Sequence, residues 1–128
     1  MRQQCLVFFN ARPEYELVGI FGSFADESAT PKSDLDIAVA KNQPLTTDER
    51  LTLAGDLSVA VGREVDLVDL QTASGQILSE ILASADWIIK RAPDILAKAT
   101  LKQIYEYEDF GRQAARIRKA KLERFLKK

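Results

Sequence analysis

The sequence has no histidine and a single cysteine, Cys5, among its 128 residues. Without histidine there is no Ser-His-Asp or Cys-His nucleophilic catalysis, no imidazole acid–base work and no His-ligated metal. One cysteine allows neither a disulfide within the chain nor a Cys-built zinc site, and Cys5 reads as a small buried hydrophobe. No apolar run approaches the roughly 20 residues of a transmembrane helix. The opening stretch, MRQQCLVFFNARP, holds only the short apolar run CLVFF and lacks a cleavage-like tail. A signal peptide is therefore not expected, and a cytoplasmic site is. If the protein is an enzyme, carboxylates must do the work with a hard metal ion beside them.

A hydrophobic content of 46% and a charged content of 29% describe a soluble, globular chain, and its length suits one domain with a real core. The formal net charge of −1 conceals a gradient. Arg112 to Lys128 holds eight basic residues and one acid, Glu123, for +7, which leaves −8 on residues 1–111. An acidic body with a basic C-terminal arm follows. There is no internal repeat, low-complexity tract or obvious linker.

Local patterns predict a short helix over 2–11, ended before Pro13, and a strand over 15–21, "YELVGIF". "SFADESAT", 23–30, has a capping serine and early acids, which predicts a short helix ended before Pro31. "SDLDIAVA", 33–40, alternates as a strand: Asp34, Asp36, Ala38 and Ala40 face one way, Leu35, Ile37 and Val39 the other. A helix over 46–62 starts with the capping-box spacing of Thr46 and Glu49. It carries Leu51, Ala54, Leu57 and Val61 at helical spacing and closes at Gly62. A strand over 63–70, a helix near 74–83, a short strand in "DWIIKR" and a long helix from Asp94 to the end complete the chain. The expected fold is α/β (α+β), a small mixed sheet flanked by helices.

Asp34 and Asp36 share a strand face, with Cα atoms roughly 6.5 to 7 Å apart. On the next strand Val65 and Leu67 belong to the core, so Asp66 emerges on the face of the first two aspartates. Neighbouring strands lie about 4.8 Å apart, so three carboxylates can converge. Without a cation they would repel and raise one another's pKa values. Mg²⁺ accepts carboxylate oxygens and completes its shell with substrate phosphates and water. Asp69, three residues further on, faces the other way and reads as a strand-end polar residue.

Upstream, Gly22 lets the backbone approach a ligand closely, and the amides opening the next turn favour an anion. The Ser23 hydroxyl can donate to a phosphate oxygen. Gly-Ser or Asp-x-Asp alone reads as an ordinary turn; their combination, followed by Asp66 on a third strand, is far more specific. There is no Gly-Lys pair for a P-loop, "GIFG" is not a dinucleotide fingerprint, and an EF-hand needs more oxygen ligands.

Gly22-Ser23, ten residues, then Asp34-x-Asp36 resembles the signature of the polymerase-β-like nucleotidyltransferase superfamily. More narrowly it resembles the minimal nucleotidyltransferase (MNT) antitoxins of HEPN/MNT toxin–antitoxin pairs, and "EVDLVDL" resembles the strand bearing that family's third acid, placed here on Asp66. The likeness spans about residues 15–95. It implies a nucleotidyltransferase domain over 1–95, with 96–128 a basic helical extension of the same domain. It also implies transfer of AMP from ATP to a tyrosine of a cognate HEPN RNase toxin, which silences it. Asp34, Asp36 and Asp66 would be the catalytic, Mg²⁺-binding acids, and Gly22 and Ser23 would hold the nucleotide. No membrane or direct nucleic-acid binding is expected. A small-molecule or RNA-end acceptor, and an antitoxin that acts by binding alone, remain as alternatives.

In the tail, Leu101, Ile104, Tyr105, Ile117, Leu122, Phe125 and Leu126 form apolar stripes among Arg112, Arg116, Arg118, Lys119, Lys121 and Arg124. A solvated helix covering the domain, a partner-docking helix and an RNA or phosphate contact all fit. Tyr105 and Tyr107 are expected in buried amphipathic contacts rather than as modification sites. Trp87 is expected in the core, with adenine stacking as the other reading.

Overall fold

In a computed structural model, which describes residues 1–106, a four-stranded mixed sheet has helices on both faces. The order is α1 (Arg2–Asn10), β1 (Leu17–Phe21), a 3₁₀ turn (Gly22–Phe24), β2 (Leu35–Ala40), α2 (Thr47–Val61), β3 (Val65–Asp69), α3 (Gly75–Ser84) and β4 (Asp86–Lys90). A further helix, α4, follows over 93–106. The basic run from Arg112, with Tyr107, Ile117, Leu122, Phe125 and Leu126, lies outside the described residues. Strands are ordered β3-β2-β1-β4; β1 pairs antiparallel with β2 and β4, and β2 pairs parallel with β3. A parallel pair needs a crossover connection, which α2 supplies.

The alternation of β2 sorts two cores. Leu35, Ile37 and Val39 pack with Phe8, Phe9, Leu53 and Leu57 beneath α1 and α2. Ala38 and Ala40 pack with Leu17, Phe21, Leu78, Ile81, Ile95 and Ala99 beneath α3 and α4. Cys5 is fully buried in the first core, and burial pushes its thiol up to about 11.

α2 begins with a reciprocal capping box between Thr46 and Glu49 and ends at Gly62 in the left-handed conformation, φ 68°. Its buried stripe is Leu53, Leu57 and Val61, while Leu51 is 68% exposed. Leu51 lies six residues before Leu57, about 120° around the helix at 100° per residue, and so misses the core.

Residues 23–30 do not form the expected helix. One 3₁₀ turn forms, its N-cap position is Phe21 rather than Ser23, and no side chain caps it. Beyond it the Asp26 carboxylate accepts hydrogen bonds from the Ser28 amide and hydroxyl, at 3.0 and 2.5 Å. Glu27 takes φ 63°. Such a local side-chain turn offers the backbone partners outside a helix and stops propagation.

Tyr105 is exposed, contrary to the expectation of burial, and so are Leu101 and Ile104: α4 meets the sheet through Ile95 and Ala99. Trp87 is half-buried over Gly19, where an added Cβ would lie 2.6 Å from its ring. It lines a cavity of about 310 Å³ with Leu82, Leu96, Thr100 and Gln103.

Candidate functional site

The register of the sheet assembles the site. Phe21, the last residue of β1, pairs with Asp36, and Asp36 pairs with Asp66. Asp36 thus has the Gly22–Phe24 turn on one side and Asp66 on the other. Val65 and Leu67 turn to the α1/α2 core, which leaves Asp66 on the face of Asp36 and Ala38.

Gly22 is required here twice. Its φ is 67°, and a Cβ would lie 2.3 Å from Oδ2 of Asp36. Only a residue without a side chain brings this backbone against the aspartate. Ser23 follows inside the turn, half-buried, and the Ala25 and Asp26 amides both donate to the Gly22 carbonyl.

Asp36 is half-buried and its carboxyl is pushed above the ordinary carboxylate range. Burial is the first cause, followed by the charges of Asp66, Glu80 and Asp34. Every group that perturbs it pushes the same way. This surplus of negative charge on hard oxygens suits a cation such as Mg²⁺.

Gly22, Asp36 and Asp66 are brought together as the spacing implies. Asp34 sits exposed just before β2, and its charge acts on Asp36 less than that of Glu80. Among the described residues, no three acidic, cysteine or histidine side chains close around one point as a formed metal cage would. Glu80 went unnoticed in the sequence. It lies between Leu78 and Ile81, the buried residues of α3, and only the docking of that helix turns it toward Asp36.

Asp69, on the opposite strand face, is 2% exposed. Its Oδ2 accepts from the Leu45 amide at 2.8 Å and its Oδ1 from the Gln71 amide at 2.9 Å. It ties the loop before α2 to the end of β3, and its role is architectural.

Residues 3–94 match the sequence profile of the family described as polymerase beta, nucleotidyltransferase. The chain is 31% identical over 104 residues to protein adenylyltransferase MntA of Shewanella oneidensis, covering 80% of this chain and 74% of that one. A solved toxin–antitoxin structure with AMP-PNP superimposes with a TM-score of 0.76 at 24% identity, covering 94% and 98% of the two chains, and shows the shared fold. A structure of tri-AMPylated Shewanella oneidensis HEPN toxin in complex with MNT antitoxin superimposes with a TM-score of 0.65 at 27% identity, covering 90% and 95%.

Proposed function

The chain belongs to the polymerase-β nucleotidyltransferase family, and from that membership we propose that it is an antitoxin that transfers AMP from ATP to a tyrosine of a HEPN RNase toxin. The observation that carries the site is the pairing of Asp36 with Asp66 beside the close-packed Gly22 turn. Its assignment to a toxin partner draws on the MntA relative and on the AMPylated toxin complex. The whole of 1–95 acts as the transferase unit, with 96–128 an extension of the same domain. The packing of Ala99 beside Ile95 in the second core supports placing the start of that extension in the same domain. No helix among the described residues is long and apolar enough to cross a membrane.

The reaction needs three services from the chain. The Gly22–Ser23 amides and the Ser23 hydroxyl bind the phosphates, as backbone donors at the start of a turn do. Asp36 and Asp66, with Asp34 at the rim, would hold Mg²⁺. When bound, that ion neutralises charge on the phosphate oxygens as the leaving group departs. Asp66, exposed at the edge of the pair, accepts the proton of the incoming tyrosine hydroxyl. The hydroxyl oxygen bonds to the α-phosphorus, the bond to the bridging oxygen breaks, and pyrophosphate leaves.

Co-expression tests this reading. The product of the neighbouring gene should arrest growth alone, and the wild-type chain should relieve the arrest. Asp36→Asn should bind the toxin and fail to relieve it; relief by that variant would point to an antitoxin that acts by binding.

A further inference from the structure

Ten residues separate Ser23 from Asp34, and regular structure holds few of them. After the 3₁₀ turn the chain makes the Asp26–Ser28 turn, then a tight turn in which the Ser33 amide donates to the Thr30 carbonyl. One side chain from elsewhere fastens this stretch. Nη1 of Arg63 donates to the carbonyls of Thr30 at 3.0 Å, Pro31 at 3.3 Å and Ser33 at 3.1 Å. Its guanidinium also stacks on the Phe24 ring, 4.9 Å from the centroid. Arg63 therefore grips both ends of the loop: Phe24 next to Ser23, and Ser33 next to Asp34.

The base of this clamp is fixed. Gly62 closes α2 in the left-handed conformation, the Ser58 hydroxyl donates to the Arg63 carbonyl at 2.5 Å, and the Leu35 amide donates to the Glu64 carbonyl at 2.9 Å. Arg63 leaves from a rigid corner between α2 and β3, the strand that carries Asp66. A planar guanidinium both stacks on an aromatic ring and presents several donors, which an ammonium does not do together.

We infer that Arg63 is a positioning residue: it sets the Gly22–Phe24 turn against the aspartate strands and so preorganises the phosphate grip before nucleotide arrives. The inference rests on the reading of Gly22 and Ser23 as that grip. A loop left free must be ordered by the ligand, and the ordering lowers affinity. Arg63 touches no reacting atom in this scheme and acts through Phe24 and the loop carbonyls.

The test compares the wild-type chain with Arg63→Ala and Arg63→Lys, using Asp69→Asn as a variant weakened away from the site. Two quantities are read: amide hydrogen exchange over residues 24–33, and affinity for a non-hydrolysable ATP analogue with Mg²⁺. Arg63→Ala should speed exchange in that loop while β1–β3 keep their protection, and should weaken analogue binding by about tenfold. Arg63→Lys should recover part of both, and it carries the comparison alone if Arg63→Ala does not fold. Asp69→Asn should bind as the wild type does. If the wild type binds no nucleotide, the reading of the site fails and takes the inference with it. If the wild type binds and both Arg63 variants match it in exchange and affinity, the inference alone is overturned.

Discussion

Asp36 and Asp66 oppose each other on adjacent parallel strands, and the charge of Asp66 raises the pKa of the Asp36 carboxyl. In the free protein that closeness is a liability, because like charges set side by side on a sheet destabilise it. The native state holds the Asp36 proton more tightly than the unfolded chain does. Its contribution is therefore favourable below the ordinary value near 3.8 and is lost as pH rises through its raised native value. Asp36→Asn should thus raise the melting temperature of metal-free protein at pH 7, by roughly 1–3 °C for about 0.5 kcal/mol. The gain should shrink as pH falls through the carboxylate range. Thermal melts in chelator at several pH values measure it, and a gain that persists unchanged in acid would contradict the account.

Gly22→Ala meets two obstacles at once, a left-handed φ and an oxygen 2.3 Å from its new methyl group. We expect a loss of about 1–2 kcal/mol in urea unfolding, in line with the cost of a side chain in the left-handed region. AMP transfer should fall as well, since the turn must retreat from Asp36. Equal stability and activity would show that the turn has room to shift.

Asp69→Ala strips two backbone amides, the buried one of Leu45 and the part-buried one of Gln71, of their acceptor. Hydrogen bonds to a charged group are worth about 1.5–3 kcal/mol, and the Leu45 donor is left buried and unpaired. Chemical denaturation should register about 3 kcal/mol, whereas activity per folded molecule should stay near that of the wild type. A selective loss of activity would place Asp69 in the chemistry.

Cys5 is buried and its thiol is raised to about 11. Because the thiolate is the reactive form, native protein at pH 8 should resist iodoacetamide. Mass spectrometry should find the adduct only after denaturant is added; rapid labelling of the native state would contradict the burial.

Local rules were legible where one residue decides one geometry. The alternation of 35–40 separates Leu35, Ile37 and Val39 from Ala38 and Ala40, and the two cores divide along that line. Thr46 with Glu49, and Gly62, mark both ends of α2 because capping is a local bond. The helix expected over 23–30 gives way to one 3₁₀ turn and a local Asp26–Ser28 side-chain turn, with Glu27 left-handed between them. Tyr105 is exposed because α4 turns another stripe to the sheet, a choice made by tertiary packing. The approach of Glu80 to Asp36 and the reach of Arg63 to the loop likewise depend on helices docking, and no spacing in the chain announces them.

The central claim is that the Asp36–Asp66 pair transfers AMP to a protein tyrosine. Intact-mass and peptide mass spectrometry of the neighbouring gene's product, incubated with ATP, Mg²⁺ and this chain, tests it directly. The account predicts one or more AMP units on a toxin tyrosine with the wild-type chain, and none with Asp36→Asn or Asp66→Asn. An unmodified toxin that is nonetheless silenced, or AMP appearing on RNA or a small molecule instead, would contradict it.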